Sequence, residues 1–412
     1  MLRFLTAGES HGPELVVIVE GLPAGVGIDP EAVDRELVRR QQGYGRGARS
    51  TKIERDHGEI VSGVAGGRTT GAPVAIRVIN RDFANQPARP APLTAPRPGH
   101  ADLAGRWKYG HEDFRVVRER ASARETAARV AAGALARQLL SAFGVGLGSF
   151  VTGVGDVRME VSLPSLDAAG LASLGTAAEN DPIRCPDPGA SSAMCAAVDR
   201  AKERGETLGG VFVVYALGVP PGLGSHVHWD RKLDGRLAQA ICSIHAVKGV
   251  EVGAAWDAAV RPGTDVQDAI VLDGATTRRR TNWAGGVEGG MTNGEPVVIR
   301  AAMKPLSSVR AELASVDFAT GLVADPPYVR SDVSAVAPAA VVGEAMAAWV
   351  LADALTERFG ADRLDAMVAA RDAVAAAEAT LWGAAGGTPG AGGVAGTGAN
   401  TGREAVEEEV DG

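Results

Sequence analysis

Arg97-Pro98-Gly99-His100-Ala101-Asp102 opens the stretch whose reading decides the rest of this chain. It passes through Lys108-Tyr109-Gly110 and reaches Arg118-Glu119-Arg120-Ala121-Ser122-Ala123-Arg124-Glu125-Thr126, after which an alanine-rich run continues to Phe143. Ser122 with Glu125 has the spacing of a capping box, so a helix is expected from Ala123 to Gly144. The Ala, Val, Leu, Gln and Arg that fill it are strong helix formers. A helix start presents free N–H groups and a partial positive charge, which suits phosphate or carboxylate. Arg118, Arg120 and Arg124 crowd that end, and His100 lies in the loop leading to it. A cap needs only Ser122 and Glu125, so the added arginines point to an anion. Basic residues beside a capping box are also common at plain helix starts, and this stretch alone leaves the two readings level.

Working outward, the 412 residues suffice for one large domain or a few average ones. A hydrophobic share of 45% and a charged share of 22% are those of an ordinary globular protein. The net charge of −8 argues against general nucleic-acid binding. Cys185, Cys195 and Cys242 form no C-x-x-C pair and no metal spacing, which fits a reducing cytoplasm. No basic segment with an apolar core begins the chain, so no signal peptide is expected. No run reads as a membrane span.

Strands are expected at Leu15–Glu20, near Glu59–Val64 and at Pro73–Ile79. Asp29 caps a helix that begins at Pro30 and runs to about Gln42. Arg81 to Pro96 reads as a surface loop. Later strands are expected at Gly148–Gly155, Gly210–Gly218, Ala269–Leu272 and Pro296–Met303, with a turn at Asn293-Gly294. Two closing helices cover roughly Ala339–Phe359 and Arg363–Trp382. A single catalytic domain is expected over residues 1–382, followed by a disordered Gly/Ala-rich acidic tail over 383–412, whose composition cannot support a core.

Several segments carry candidate chemistry. His11, in Gly8-Glu9-Ser10-His11-Gly12, is accessible between glycines, although such a histidine is more often a turn residue. Arg35 and Arg39 share a helix face and by themselves read as a solvated surface balanced by Asp34 and Glu36. Behind them, Arg40, Arg46 and Arg49 flank a glycine-rich loop in which guanidinium forks could close on an anion. Ser243–Glu251, with His245 and Ala246, reads as a strand end with an exposed lysine. The loop around Gly289 is glycine-rich and weak evidence alone. Lys304-Pro305-Leu306-Ser307-Ser308 ends a strand with a cation and two hydroxyls together, which suits a phosphate. Arg330 and Asp332 read as an exposed ion pair. His226 and His228 lack further ligand spacing, so no metal is expected there. No G-x-G-x-x-G follows a strand and no P-loop occurs, which disfavours a Rossmann dehydrogenase or an ATPase.

Taken in order, R-P-G-H-A-D, K-Y-G, R-x-S-A-R-E-T and K-P-x-S-S closely resemble the chorismate synthase family, from about Leu2 to Gly360. The resemblance implies an α+β fold, a β-α-β sandwich with helices between two antiparallel sheets, usually assembled as a homotetramer. It implies a lyase of the shikimate pathway that converts 5-enolpyruvylshikimate 3-phosphate to chorismate by 1,4-anti-elimination of phosphate. The ring hydrogen that is lost is not acidic, so proton abstraction alone explains little. Reduced FMN, by lending an electron and recovering a hydrogen equivalent at N5, makes the elimination possible without net redox change.

By the same resemblance, His11 protonates the departing phosphate, His100 serves the flavin N1 side and Asp332 acts as a base at N5. Ser10, Arg40, Arg46 and Arg49 line the substrate or NADPH site. Arg120, Ala121, Ser122, His245, Ala246, Gly289, Lys304, Pro305, Leu306, Ser307, Ser308 and Arg330 hold FMN. NADPH enters as an indirect reductant. With no separate nucleotide-binding domain, an external flavin reductase is expected to supply reduced flavin. The runner-up readings are an anion- or RNA-binding protein that uses the same arginines, and a flavin oxidoreductase with net redox turnover.

Overall fold

The computed structural model describes residues 1–47, 56–85, 91–273, 276–311, 313–326 and 332–385. Alternation builds the first sheet. In Glu14–Glu20, Leu15, Val17 and Val19 point inward while Val16 and Ile18 face out. This strand pairs antiparallel with Arg3–Ala7, Leu5 opposite Ile18, and with Val74–Ile79, Val17 opposite Ile76. Gly58–Ile60 adds the far edge. Arg3–Ala7 was not expected from sequence: it is an edge strand whose outward Arg3, Leu5 and Ala7 show no clean alternation of polarity. The strand expected over Glu59–Val64 is interrupted, because Gly63 turns the chain at φ 81° between Gly58–Ile60 and the two-residue strand Val64–Ala65.

The second sheet runs Val247–Val252, Val297–Met303, Gly210–Leu217, Gly146–Val154 and Val157–Arg158, each pair antiparallel. Its middle strand, Gly210–Leu217, is apolar throughout because both faces are covered. Phe212, Val214 and Ala216 join the main core, while Val213 and Tyr215 pack with Phe150, Leu171 and Ala178 under the helix Ala168–Glu179.

Helices fill the space beside the two sheets. Thr126–Ser141 packs on the first sheet and Val336–Phe359 on the second; the two lie against each other, with Pro30–Gln41 alongside both. Small side chains set the distance between them. A Cβ built on Gly133 would fall 2.4 Å from the Ala345 Cβ and 2.9 Å from its carbonyl oxygen. Val336–Phe359 is long and apolar enough to cross a membrane, contrary to the reading of the sequence, but 94% of its apolar window is buried inside the fold.

A fully buried carboxylate lies in this layer. Glu344 is fully buried and accepts hydrogen bonds from Arg39 (2.9 Å), Arg137 (2.7 Å) and Ser149 (2.5 Å), with Arg184 at 3.3 Å. Burial alone would raise its carboxyl group; the guanidiniums of Arg39, Arg137 and Arg184 reverse that and hold it well below the usual range. Arg39 therefore does not lie on a solvated face as expected. It turns inward to Glu344, Glu36 and Glu179, whereas Arg35 stays exposed and pairs with Asp29.

The central helix also starts later than its capping box implied. Ala123–Glu125 is a 3₁₀ turn and the α-helix spans Thr126–Ser141. Ser122 Oγ does accept the Arg124 N–H at 3.3 Å. Glu125 does not reach back, because its carboxylate accepts from Thr6 Oγ1 (2.6 Å) and Arg129 Nε (2.8 Å) instead. At the other end the last helix runs Leu364–Ala385, so it passes Gly383, where the tail was expected to begin. Residues 386–412 of that tail lie outside the described residues.

Candidate active site

The loop joining the first two strands can turn as it does because Gly8 adopts φ 105°, with the Glu14 carbonyl 2.4 Å from where a Cβ would be. Its tip is tied to the helix Phe114–Arg120. The Ser10 N–H donates to the Glu119 carbonyl (3.1 Å), and the His11 N–H to Glu119 Oε2 (2.7 Å). His11 Nδ1 lies 2.8 Å from Glu119 Oε1. Arg120 donates to Thr6 and to the Gly8 carbonyl, and Ser122 Oγ donates to Ser10 Oγ at 3.2 Å. Ala121 closes that helix through its N–H to Val117.

A second histidine is held in the same way. His100 Nδ1 sits 2.5 Å from Oδ1 of the fully buried Asp102, whose Oδ2 takes Arg97 Nε and Arg118 Nη2, each at 3.2 Å. Burial would raise the Asp102 carboxyl, but His100 and Arg97 hold it far below its ordinary range. This loop meets the segment expected to hold phosphate. Arg97 donates to Ser308 Oγ (2.9 Å) and Ser307 Oγ donates to the Gly99 carbonyl (3.0 Å). Pro305 and Leu306 continue the segment, their carbonyls taking Lys304 Nζ (3.3 Å) and Thr207 Oγ1 (2.7 Å).

Further arginines of the expected set are held by carboxylates. Arg40 and Arg124 are buried and share one oxygen of Asp56, at 2.7 and 2.6 Å, so two guanidiniums face a single carboxylate. Asp332 accepts from Arg46 and from the Gly47 N–H (2.6 Å). The carboxylate expected to act as a base is thus engaged here as the anchor of Arg46. His245 sits in the turn between the helix Leu233–Cys242 and the strand Val247–Val252, which carries the exposed Lys248 as expected, and its Nδ1 is buried without a hydrogen-bond partner among the described residues. Burial first, then Arg129, His100 and Arg120, push its imidazole down to about 4. Ala246 takes φ 65° and its carbonyl accepts the Lys304 N–H at 2.9 Å, which joins the two expected flavin segments.

Two expected residues, Arg49 and Arg330, lie outside the described residues. Gly289 is exposed at the turn of a short hairpin whose Gly290 carbonyl accepts from Leu233, and no hydrogen bond among the described residues ties it to the cluster. Reading by sequence also passed over Asp56, Asp102 and Glu119 as site residues. Asp102 stands two positions after His100 and was open to notice; Glu119 meets His11 across 108 residues and was not.

The family model described as chorismate synthase matches residues 2–356. The chain belongs to the chorismate synthase family. Chorismate synthase of Desulforudis audaxviator is 52% identical over 375 residues, covering 88% of this chain and 95% of the relative. That of Rubrobacter xylanophilus is 54% identical over 371 residues, covering 88% and 93%. A solved chorismate synthase crystal structure superposes with a TM-score of 0.77 at 42% identity, covering 92% of this chain and 98% of that one. As in the rest of the chorismate synthase family, the chain is a lyase dependent on flavin, and its reaction eliminates phosphate from 5-enolpyruvylshikimate 3-phosphate to give chorismate.

Proposed function

We propose that the clustered loops are the catalytic centre of that elimination, with His11 giving a proton to the departing phosphate and His100 holding one beside the flavin. The observation that carries this reading is convergence. Loops 8–12, 97–102 and 119–122, the 245–246 turn and segment 304–308 meet in one arginine-walled place, though they are scattered over the sequence.

FMN is the flavin proposed, in its reduced form, and the residues fit it. His245 brings a buried Nδ1 that has no hydrogen-bond partner among the described residues, on an imidazole that burial keeps neutral. Lys304, Ser307 and Ser308 offer a cation and two hydroxyls to a phosphate, and Arg120, Ala121, Ser122, Ala246, Gly289 and Arg330 complete the proposed set. When bound, reduced FMN would lend the electron that helps phosphate depart and take back a hydrogen equivalent from the ring C–H bond, with no net redox change. The chain's own residues bind, orient and exclude water. Ser10, Arg40, Arg46 and Arg49 hold the anionic substrate, and a dry, cationic wall strengthens each contact. Asp332 accepts a proton once Arg46 turns from it to the substrate.

The wider assignments belong to the same proposal. Residues 1–382 form one catalytic domain, supported by a core cluster that runs from Leu2 to Met367. The two sheets and the helices beside them form the β-α-β sandwich. A homotetramer is supported by exposed Leu5, Ile18 and Ile79 on the outward face of the first sheet. The three free thiols, Cys185, Cys195 and Cys242, agree with the cytoplasm. Reduced flavin comes from an external reductase, so NADPH with oxidised FMN alone should yield little chorismate. The direct test replaces each histidine. With pre-reduced FMN, His11→Ala and His100→Ala should each lower turnover roughly 10²–10⁴-fold, the range of a general acid or base. Full turnover in either variant removes that residue from the mechanism.

A further inference from the structure

His11 and His100 both place Nδ1 on a carboxylate, but the two carboxylates are occupied differently. Asp102 divides its charge among His100, Arg97 and Arg118. Among the described residues, the hydrogen bonds to the Glu119 carboxylate come from His11 alone, one from the backbone N–H and one at Nδ1. The Glu119 backbone carbonyl, by taking the Ser10 N–H, fixes the preceding residue of the same loop. Three contacts from one residue therefore set the position of the imidazole. The Glu119 side chain is 12% exposed and that of His11 36% exposed, so the clamp is inside and the rest of the ring reaches the open side.

We propose that Glu119 is a positioning residue that selects the tautomer of His11 and so decides which nitrogen delivers the proton. This rests on His11 being the proton donor of the reaction. Burial would raise the Glu119 carboxyl group, but its hydrogen bonds with His11 and the charges of His11 and Arg115 hold it below its ordinary range. An ionised carboxylate has no proton to donate and only accepts. Both groups that meet it must then be donors. The backbone N–H of His11 is one, so the other is an Nδ1–H. The second ring nitrogen, Nε2, then carries the exchangeable proton to the leaving phosphate, and the neutral imidazole takes up a new proton from solvent when the cycle resets. His11 thus works through a single nitrogen, as imidazolium before phosphate departs and as the Nδ1–H tautomer after.

Glu119→Gln makes this testable, because an amide of the same size has one accepting oxygen and one donating nitrogen. If the oxygen keeps the His11 N–H, the amide N–H₂ faces Nδ1 and drives the proton to Nε2, which is the wrong tautomer. With pre-reduced FMN, turnover of Glu119→Gln should fall at least ~10²-fold while KM for the phosphorylated substrate changes little, the pattern of a misplaced imidazole proton. Imidazole ¹⁵N spectra at a pH where His11 is neutral should move from the Nδ1–H to the Nε2–H pattern. Glu119→Asp, which keeps the anion, should keep the Nδ1–H pattern and regain part of the turnover; it also carries the test if the Gln variant does not fold. Unchanged ¹⁵N pattern or unchanged turnover in Glu119→Gln overturns the proposal. If His11→Ala keeps full turnover, the reading of His11 as donor has failed. If His11→Ala is impaired and Glu119→Gln is not, only the role of Glu119 has failed.

Discussion

Burial leaves a measurable trace at His245, whose imidazole is pushed down to about 4. An unfolded chain takes up this proton near pH 6.5, and the folded chain resists until about pH 4. Between these values the unfolded state binds more protons, so the stability owed to neutral His245 is complete above pH 6.5 and falls as the pH is lowered through the window. In the flavin-free protein, wild type should lose up to about 3 kcal/mol more than His245→Gln between pH 7 and 4, measured by urea unfolding across that range. Parallel losses in the two proteins would show that the imidazole is not buried neutral. The sequence allowed His245 to be noticed only through its resemblance to a family segment, since burial depends on what the fold lays over it. His11 and His100 were legible as motif residues. Their carboxylate partners were less so: a motif records neighbours in the chain, whereas Glu119 and His11 meet only when the first loop folds onto the helix Phe114–Arg120.

At the scale of elements, the close contact between the two core helices sets a steric limit. Replacing Gly by Ala in a helix normally gains up to about 1 kcal/mol. At Gly133 the new methyl would meet the Ala345 Cβ at 2.4 Å, its Cα at 2.6 Å and its carbonyl at 2.9 Å, and a backbone cannot swing away as a flexible side chain does. Overpacking of about 1–3 kcal/mol should win, so Gly133→Ala should lower the melting temperature. A rise in melting temperature would mean the helices separate at little cost. The alanine-rich composition of Thr126–Ser141 made this helix easy to read, as alternation did for Glu14–Glu20. The short helices Asp102–Tyr109 and Phe114–Arg120 escaped because they are polar and their stability comes from the loops they hold. Arg39 was misread for a related reason: helical spacing shows which residues share a face, but the buried Glu344 that this face meets lies 305 residues along the chain.

For the molecule as a whole, periodicity supplied a list of strands and helices compatible with the fold, and the family resemblance supplied their arrangement. Neither sheet order is local, since the first sheet joins strands from Arg3 to Ile79 and the second joins strands from Gly146 to Met303. What the fold achieves is to carry five distant segments to one place, with Arg97, Arg118 and Arg120 among them. The central claim is that this place eliminates phosphate with reduced flavin as a catalyst that is not consumed. The most direct measurement is anaerobic: purified protein, dithionite-reduced FMN and 5-enolpyruvylshikimate 3-phosphate, with phosphate, chorismate and flavin absorbance followed together after excess dithionite is removed. Phosphate and chorismate should appear in equal amounts, many per flavin, while the flavin ends reduced. No chorismate, or one flavin oxidised for each product formed, would contradict the account.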